Sequence, residues 1–305
     1  MLITSQSLAL PPEMEYVLRH LLEQWIGIGI NSLTLVFLED EYRVRRFNKD
    51  RAGYYVLETK YGVRFSKDPV FIGIPRHYKE DLLSNIALFH EIGHIVDTQI
   101  SLMTDVKDEI IKTTNKSCDK KIIKEYFPII AAEGVFDETV LVSYIKEYIA
   151  DLFSAQYLGN YITDFVEFLE FGEKINDNRS HPPLEKRKQV VNDFLDCMNL
   201  SSHFTTNYLL KYIMDSFHNS GKGDLQTRWS PFSGDELLKG NTVTITNEDE
   251  LFSVFKHAWD VICTGVTTVE RARQLPPNSL SYHGFYESFN SRVKDSIASY
   301  RQQHP

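Results

Sequence analysis

Apolar residues recur along this chain with two different periods, and the change between them falls near Glu80. Upstream, Met14, Val17, Leu18, Leu21, Leu22 and Trp25 repeat at helical spacing after Pro11 and Pro12, which predicts an amphipathic helix opening the fold. Four stretches follow with the β-branched and aromatic content of strands: "SLTLVFLE" (32–39), "GYYVLET" (53–59), "GVRFS" (62–66) and "PVFIGI" (69–74). Broken by Gly and Asp, they predict a small mixed, partly antiparallel sheet whose last strand stops at Pro75.

From Glu80 onward the period is helical. Leu82, Leu83, Ile86, Phe89, His90 and Gly93 share one stripe, so "FHEIGH" falls inside a helix. A charge-rich helix with a solvated face is predicted over 105–126, and another over 143–159. The latter buries Ile145, Tyr148, Leu152 and Ala155 and stops at Gly159. A further helix after 176–187 carries Val190, Val191, Phe194 and Leu195. Helices are then expected over 207–218, over 248–263 opening at Asn247, and over 279–300 after "LPPNS", with "TVTIT" (242–246) as a short strand. The fold class is α+β. A soft boundary near Ser201–Ser202 separates residues 1–200 from a mainly helical region, 201–305, which packs on the first part or continues it.

Composition narrows the function classes. With 305 residues, 42% hydrophobic and 25% charged, the chain can bury a sizeable core. The net charge of −9 comes with no basic patch, which argues against nucleic acid as a partner. "WIGIGINSLTLVFL" (Trp25–Leu38) is too short and too interrupted for a membrane-spanning helix. The first residues lack a basic start and a long apolar run, so they do not read as a signal peptide. Cys118, Cys197 and Cys263 are far apart and form no metal or redox spacing. A soluble cytoplasmic protein of a reducing compartment is the simplest expectation.

The candidate chemistry lies in three segments. His90 and His94 are four apart, so their side chains neighbour each other on one helix face, about 6 Å apart at Cβ. That spacing lets two imidazoles share one Zn²⁺. Glu91 lies about 100° further round the helix, beside the ion, where it can take a proton from the attacking water. Gly93, a helix-weakening residue, hints at close packing. The bland alternative is a pair of histidines on a buried helix face.

Two histidines do not complete a zinc site, and Glu147 in "KEYIADLF" is the best third ligand. Asp151, one turn on, can accept a hydrogen bond from the free ring N–H of a ligand histidine. Two carboxylates at this spacing repel each other, a penalty that a nearby cation removes. Ala150 and Ala155 are small enough to let this helix approach another. The third segment is "SHPPLEKR", where two prolines hold His181 on a rigid turn. His181 and Arg187 are candidates for stabilising a developing oxyanion. An ordinary loop histidine before a helix start is the competing reading.

"HEIGH", then "EYIAD", then "HPPLEKR" as HPxxxxR resembles the gluzincin metallopeptidases, most closely the group containing the HtpX heat-shock proteases and the CAAX prenyl endopeptidases. The three motifs span residues 90–187, about a third of the chain, and the transmembrane helices of the membrane-bound members have no counterpart here. The resemblance implies a zincin-like catalytic domain holding one Zn²⁺ per chain on His90, His94 and Glu147. Glu91 would be the general base, and Asp151 would orient a ligand. His181 would face the oxyanion, with Arg187 in support. The implied function is a zinc metalloendopeptidase acting on a protein or peptide substrate.

The strand before the helix suggests that Phe71, Ile72 and Gly73 pair with an extended peptide. The alternative from another class is a catalytically inactive protein of the same fold, acting as a binding or regulatory module with or without the metal. The aromatic-rich "SYHGFYESF" (281–289) suggests a C-terminal surface for a regulatory protein, against its simpler reading as the packed stripe of a last helix.

Overall fold

The computed structural model describes residues 10–27, 34–39, 42–46, 58–62, 70–113, 117–133, 136–169, 179–199, 207–229 and 235–304. Most of the strands expected over 53–59 and 62–66, and the boundary at Ser201–Ser202, lie outside them. The described residues are mainly helical, with one short sheet.

Helix α1 (Pro12–Ile26) begins at a proline that has no N–H to leave unpaired, and it ends where Gly27 turns left-handed at φ 61°. The sheet has three strands, β1 (Thr34–Glu39), β2 (Arg43–Arg46) and β3 (Val70–Pro75), in the order β1-β3-β2. β1 runs parallel to β3, pairing Thr34 with Val70 through Glu39 with Pro75. β2 runs antiparallel to β3, pairing Arg43 with Gly73 and Arg46 with Val70. β3 is therefore the central strand, and its backbone is paired on both sides. The expectation that Phe71, Ile72 and Gly73 receive a peptide strand is corrected accordingly, because those residues have no open edge. Residues 58–61 form a helical turn in place of the end of the expected strand 53–59.

Two short 3-10 turns, Arg76–Tyr78 and Ser84–Ile86, lead from β3 into α2 (Ala87–Ile100), which carries both histidines. Ser101, left-handed at φ 60°, stops α2, and Asp97 near its end accepts the Met103 N–H at 2.6 Å to start the next helix. The single helix expected over 105–126 is two, α3 (Leu102–Thr113) and α4 (Ser117–Tyr126), followed by α5 (Pro128–Glu133).

Helix α6 (Glu138–Leu158) is longer than its sequence pattern suggests, because Asp137 caps it by accepting the Thr139 and Val140 N–H groups at 2.8 and 3.2 Å. Every residue from Glu147 to Leu158 is buried. The helix is thus central, and its carboxylates do not lie on a solvated face. The chain continues through α7 (Tyr161–Leu169), α8 (Leu184–Asn199), α9 (Tyr208–Asn219), α10 (Asp235–Lys239), α11 (Glu248–Thr264), α12 (Val266–Ala272) and α13 (Tyr282–Gln303), of which α7, α8 and α11 pack against α6. "TVTIT" is not a strand. It is pinned instead by the Val243 N–H donating to Ser296 Oγ of α13 at 2.9 Å.

Aromatic contacts tie the C-terminal helices to those bearing the site. Trp25 of α1 packs edge-on to Phe153 and Phe217, while its indole N–H donates to the Tyr157 hydroxyl at 2.7 Å. Phe89 of α2 meets Phe255 of α11 with ring centres 5.6 Å apart. α13 also grips the segment that leads into α2. Asn290 Oδ1 accepts the buried N–H groups of Leu82 and Leu83 at 2.9 and 3.3 Å, and Tyr286 donates to the Asp81 carboxylate at 2.9 Å. Among the described residues no helix is long and apolar enough to cross a membrane.

Candidate metal centre

The site depends on how closely α2 and α6 approach. A Cβ built on Gly93 would lie 2.7 Å from Ala150 Cα and 3.1 Å from the Ala150 carbonyl oxygen. No real Cβ sits that near to backbone, so the crossing requires glycine at 93, while the small Ala150 keeps α6 slim opposite it. Gly93 lies between His90 and His94; Ala150 lies between Glu147 and Asp151. The point of closest approach therefore sets four polar side chains against one another inside the protein.

Both imidazoles converge on one carboxylate. His90 Nε2 is 3.3 Å from Glu147 Oε2, and His94 Nε2 is 3.4 Å from Glu147 Oε1. Nearly perpendicular, the two rings have centres 4.7 Å apart. One ligand atom from each of His90, His94 and Glu147 lies within 4.8 Å of the other two. An ion about 2.0–2.1 Å from two atoms at a tetrahedral angle holds them about 3.4 Å apart, so the observed separations fit such an ion. This buried group could hold a metal ion, with His94, the most exposed of the three, on the solvent side.

Behind the three lies a charged layer. His90 Nδ1 is 3.0 Å from Asp151 Oδ1, but its N–H is not aligned on that oxygen, so the contact is ionic in distance and not a well-formed hydrogen bond. Asp151 in turn receives Arg187, whose Nε and Nη2 donate to its two oxygens at 2.8 and 2.7 Å. Arg187 Nη2 is also 3.6 Å from Glu147 Oε2. The guanidinium is 3% exposed, so Arg187 sits behind the ligands, against Asp151. The expectation that it supports an oxyanion directly is corrected: α8 delivers its side chain to the interior face of α6.

His181 does reach the site. Its Nε2 is 3.8 Å from Glu147 Oε1, its ring is 45% exposed, and its Nδ1 is 2.9 Å from Ser180 Oγ. It stands at the solvent-facing edge, where an approaching ligand would meet it. Glu91 is half-buried on α2, next in sequence to His90.

The metal-free electrostatics follow from this packing. Burial pulls the His90 imidazolium down, but the Asp151 and Glu147 carboxylates outweigh it and take its pKa up to about 10. Burial pushes Glu147 up, yet His90 and His94 hold it well below the ordinary carboxylate range. Asp151, also opposed by burial, is lowered by Arg187 and His90. A metal held there would compete with the proton on His90.

Two features escaped the sequence reading. Asp97, an acid within the buried run after His94, left a visible signal but was given no role; it starts α3. The grip of Asn290 and Tyr286 on 81–84 left none, because the partners are some 200 residues apart. No protein-family model, curated protein or solved structure matches the chain.

Proposed function

We propose that the protein is a zinc-dependent metalloendopeptidase of gluzincin type, with a zincin-like core formed by the short sheet, α2 and α6. The observation that carries the reading is the convergence of His90 Nε2 and His94 Nε2 on Glu147 at 3.3 and 3.4 Å, one residue from Glu91. Two imidazoles and a carboxylate form an N/O set that suits Zn²⁺, and three protein ligands leave a position open for chemistry. Zinc in this position would polarise the scissile carbonyl and acidify water.

The chain's residues supply the rest. Glu91 takes a proton from the attacking water and passes it to the leaving amine, so that one peptide bond and one water become a carboxylic acid and an amine. His181, on its proline-braced turn, donates from Nε2 to the oxyanion as it develops. Asp151 and Arg187 touch no substrate; they hold His90 and Glu147 in place. The substrate is a protein or peptide segment reaching the open side at His94 and His181.

Elemental analysis of wild type, His94→Ala and Glu147→Ala, paired with a peptide-library cleavage assay on wild type and Glu91→Gln, tests this. The expected result is about one zinc per chain, lost in both ligand variants, with hydrolysis abolished and zinc retained in Glu91→Gln. Zinc unaffected by Glu147→Ala would sink the three-ligand site. Bound zinc without any cleavage would turn the reading to a non-catalytic binding protein.

A further inference from the structure

Glu147 and Asp151 lie one turn apart on α6 with 7% and 0% exposure. Like charges at this spacing repel, and in the interior no salt screens them. The cation that answers them belongs to the chain itself. Arg187 sets two N–H groups on Asp151 at 2.8 and 2.7 Å and brings Nη2 to 3.6 Å from Glu147 Oε2. Its position is built in. The Arg187 N–H donates to the Pro183 carbonyl at 3.2 Å in the first turn of α8, and Val190, Val191 and Phe194 bury the same helix.

Resting on the metal-centre reading above, we infer that Arg187 is a resident counter-cation that keeps the His90–His94–Glu147 site folded and in register while no metal is bound. Structural zinc sites behave otherwise. There the ion is the only charge that reconciles the ligands, and chelation unfolds the domain. Here the guanidinium does part of that work permanently, because Asp151 is paired whether or not a metal is bound. The metal can then enter and leave a preformed site. The metal-free protein is a stable, loadable form, and activity follows metal supply without a folding step.

The test compares thermal unfolding of the full chain, after chelation and with added zinc, for wild type, Arg187→Met, Arg187→Lys and the double variant Asp151→Asn/Arg187→Met. Chelated wild type is expected to stay folded with one cooperative transition. Arg187→Met should lose about 5–8 °C when metal-free, the scale for breaking a buried pair in a chain of this length, and zinc should restore most of that loss. The double variant, which removes both charges, should recover much of the metal-free stability, and Arg187→Lys should fall between wild type and Arg187→Met.

Unfolding of wild type on chelation would overturn the inference. So would an equal loss in Arg187→Met with and without zinc, or Arg187→Lys no better than Arg187→Met. If Arg187→Met does not fold even with zinc, the double variant and Arg187→Lys decide. A wild type that takes up no zinc would sink the metal reading instead, leaving the metal-free comparisons to judge Arg187 by themselves.

Discussion

Replacing Gly93 by alanine is the sharpest test of what assembles the site. The added Cβ would lie 2.7 Å from Ala150 Cα, 3.1 Å from its carbonyl oxygen and 3.2 Å from its Cβ. Carbon atoms pack at about 3.5–4.0 Å, so α2 and α6 must separate by roughly 1 Å at the crossing. Overpacking of this kind costs about 1–3 kcal/mol, while the better helix propensity of alanine returns about 1 kcal/mol. The net loss, at most about 2 kcal/mol, lowers the melting temperature by no more than about 3 °C in a chain of this size.

The larger effect falls on the ligands. A shift of about 1 Å between the helices that carry them disrupts contacts now at 3.3 and 3.4 Å. Zinc affinity should fall by about 10- to 100-fold, the range seen when groups that orient ligands are lost. Thermal unfolding and competition with a chelating dye read the two effects separately. Adding Ala150→Gly should not rescue the variant, because the nearest atoms are backbone. Gly93→Ala with unchanged zinc affinity, or rescue by Ala150→Gly, would refute the role of the crossing.

Other expectations concern charge and hydrogen bonding. His90 holds its proton up to about pH 10 in the metal-free fold, so zinc binding should release that proton. Affinity should then rise about tenfold per pH unit below that value, and calorimetry in buffers of different ionisation enthalpy would detect the release. In metal-free protein the raised His90 pKa contributes stability that is fully present below about pH 6.5 and lost as pH rises towards 10; the lowered Glu147 and Asp151 contribute stability that is lost on acidification. Melting temperatures of the chelated protein across pH should therefore fall on both sides of a mildly acid plateau, between about pH 5 and 6.5, and a monotonic profile would contradict this. Asn290→Ala leaves the Leu82 and Leu83 N–H groups buried without their acceptor, at about 1–3 kcal/mol, which denaturant titration would measure. His94→Ala, at a ring 26% exposed, should remove zinc while costing the metal-free fold less than about 1 kcal/mol; a stability loss as large as that of His90→Ala would argue against a binding role for His94.

Local spacing was legible and long-range pairing was not. His90 and His94 share a face because helical geometry puts residues four apart on one side, and the same rule pairs Glu147 with Asp151. Asp137, Asn207 and Asn247 cap helices by accepting N–H groups within three residues, so the starts near 207 and 248 were readable. β2, "RVRR", carries almost no apolar signal and exists because β3 supplies its partner. β1 and β2 together close the edges of β3 that Phe71, Ile72 and Gly73 are expected to offer. Arg187 was read as facing substrate because a motif gives spacing, not the direction in which a packed helix sends its side chain.

That direction changes how the acidic pair must be weighed. From sequence, Glu147 and Asp151 one turn apart called for a cation, and a metal was the natural candidate. Arg187, bidentate on Asp151 at 2.7–2.8 Å, already meets that need, so two buried carboxylates are by themselves no argument for an ion. The argument rests on the histidines. One imidazolium is enough to pair Glu147, and His90, wedged between Glu147 and Asp151, is placed for it. His94 adds a second imidazole nitrogen at 3.4 Å from the other oxygen of the same carboxylate, at the solvent edge. Packing needs no second imidazole there, and an ion pair is complete without it. A metal bound through Glu147 accounts for both nitrogens pointing at one place, and for a glycine at 93 that brings them there.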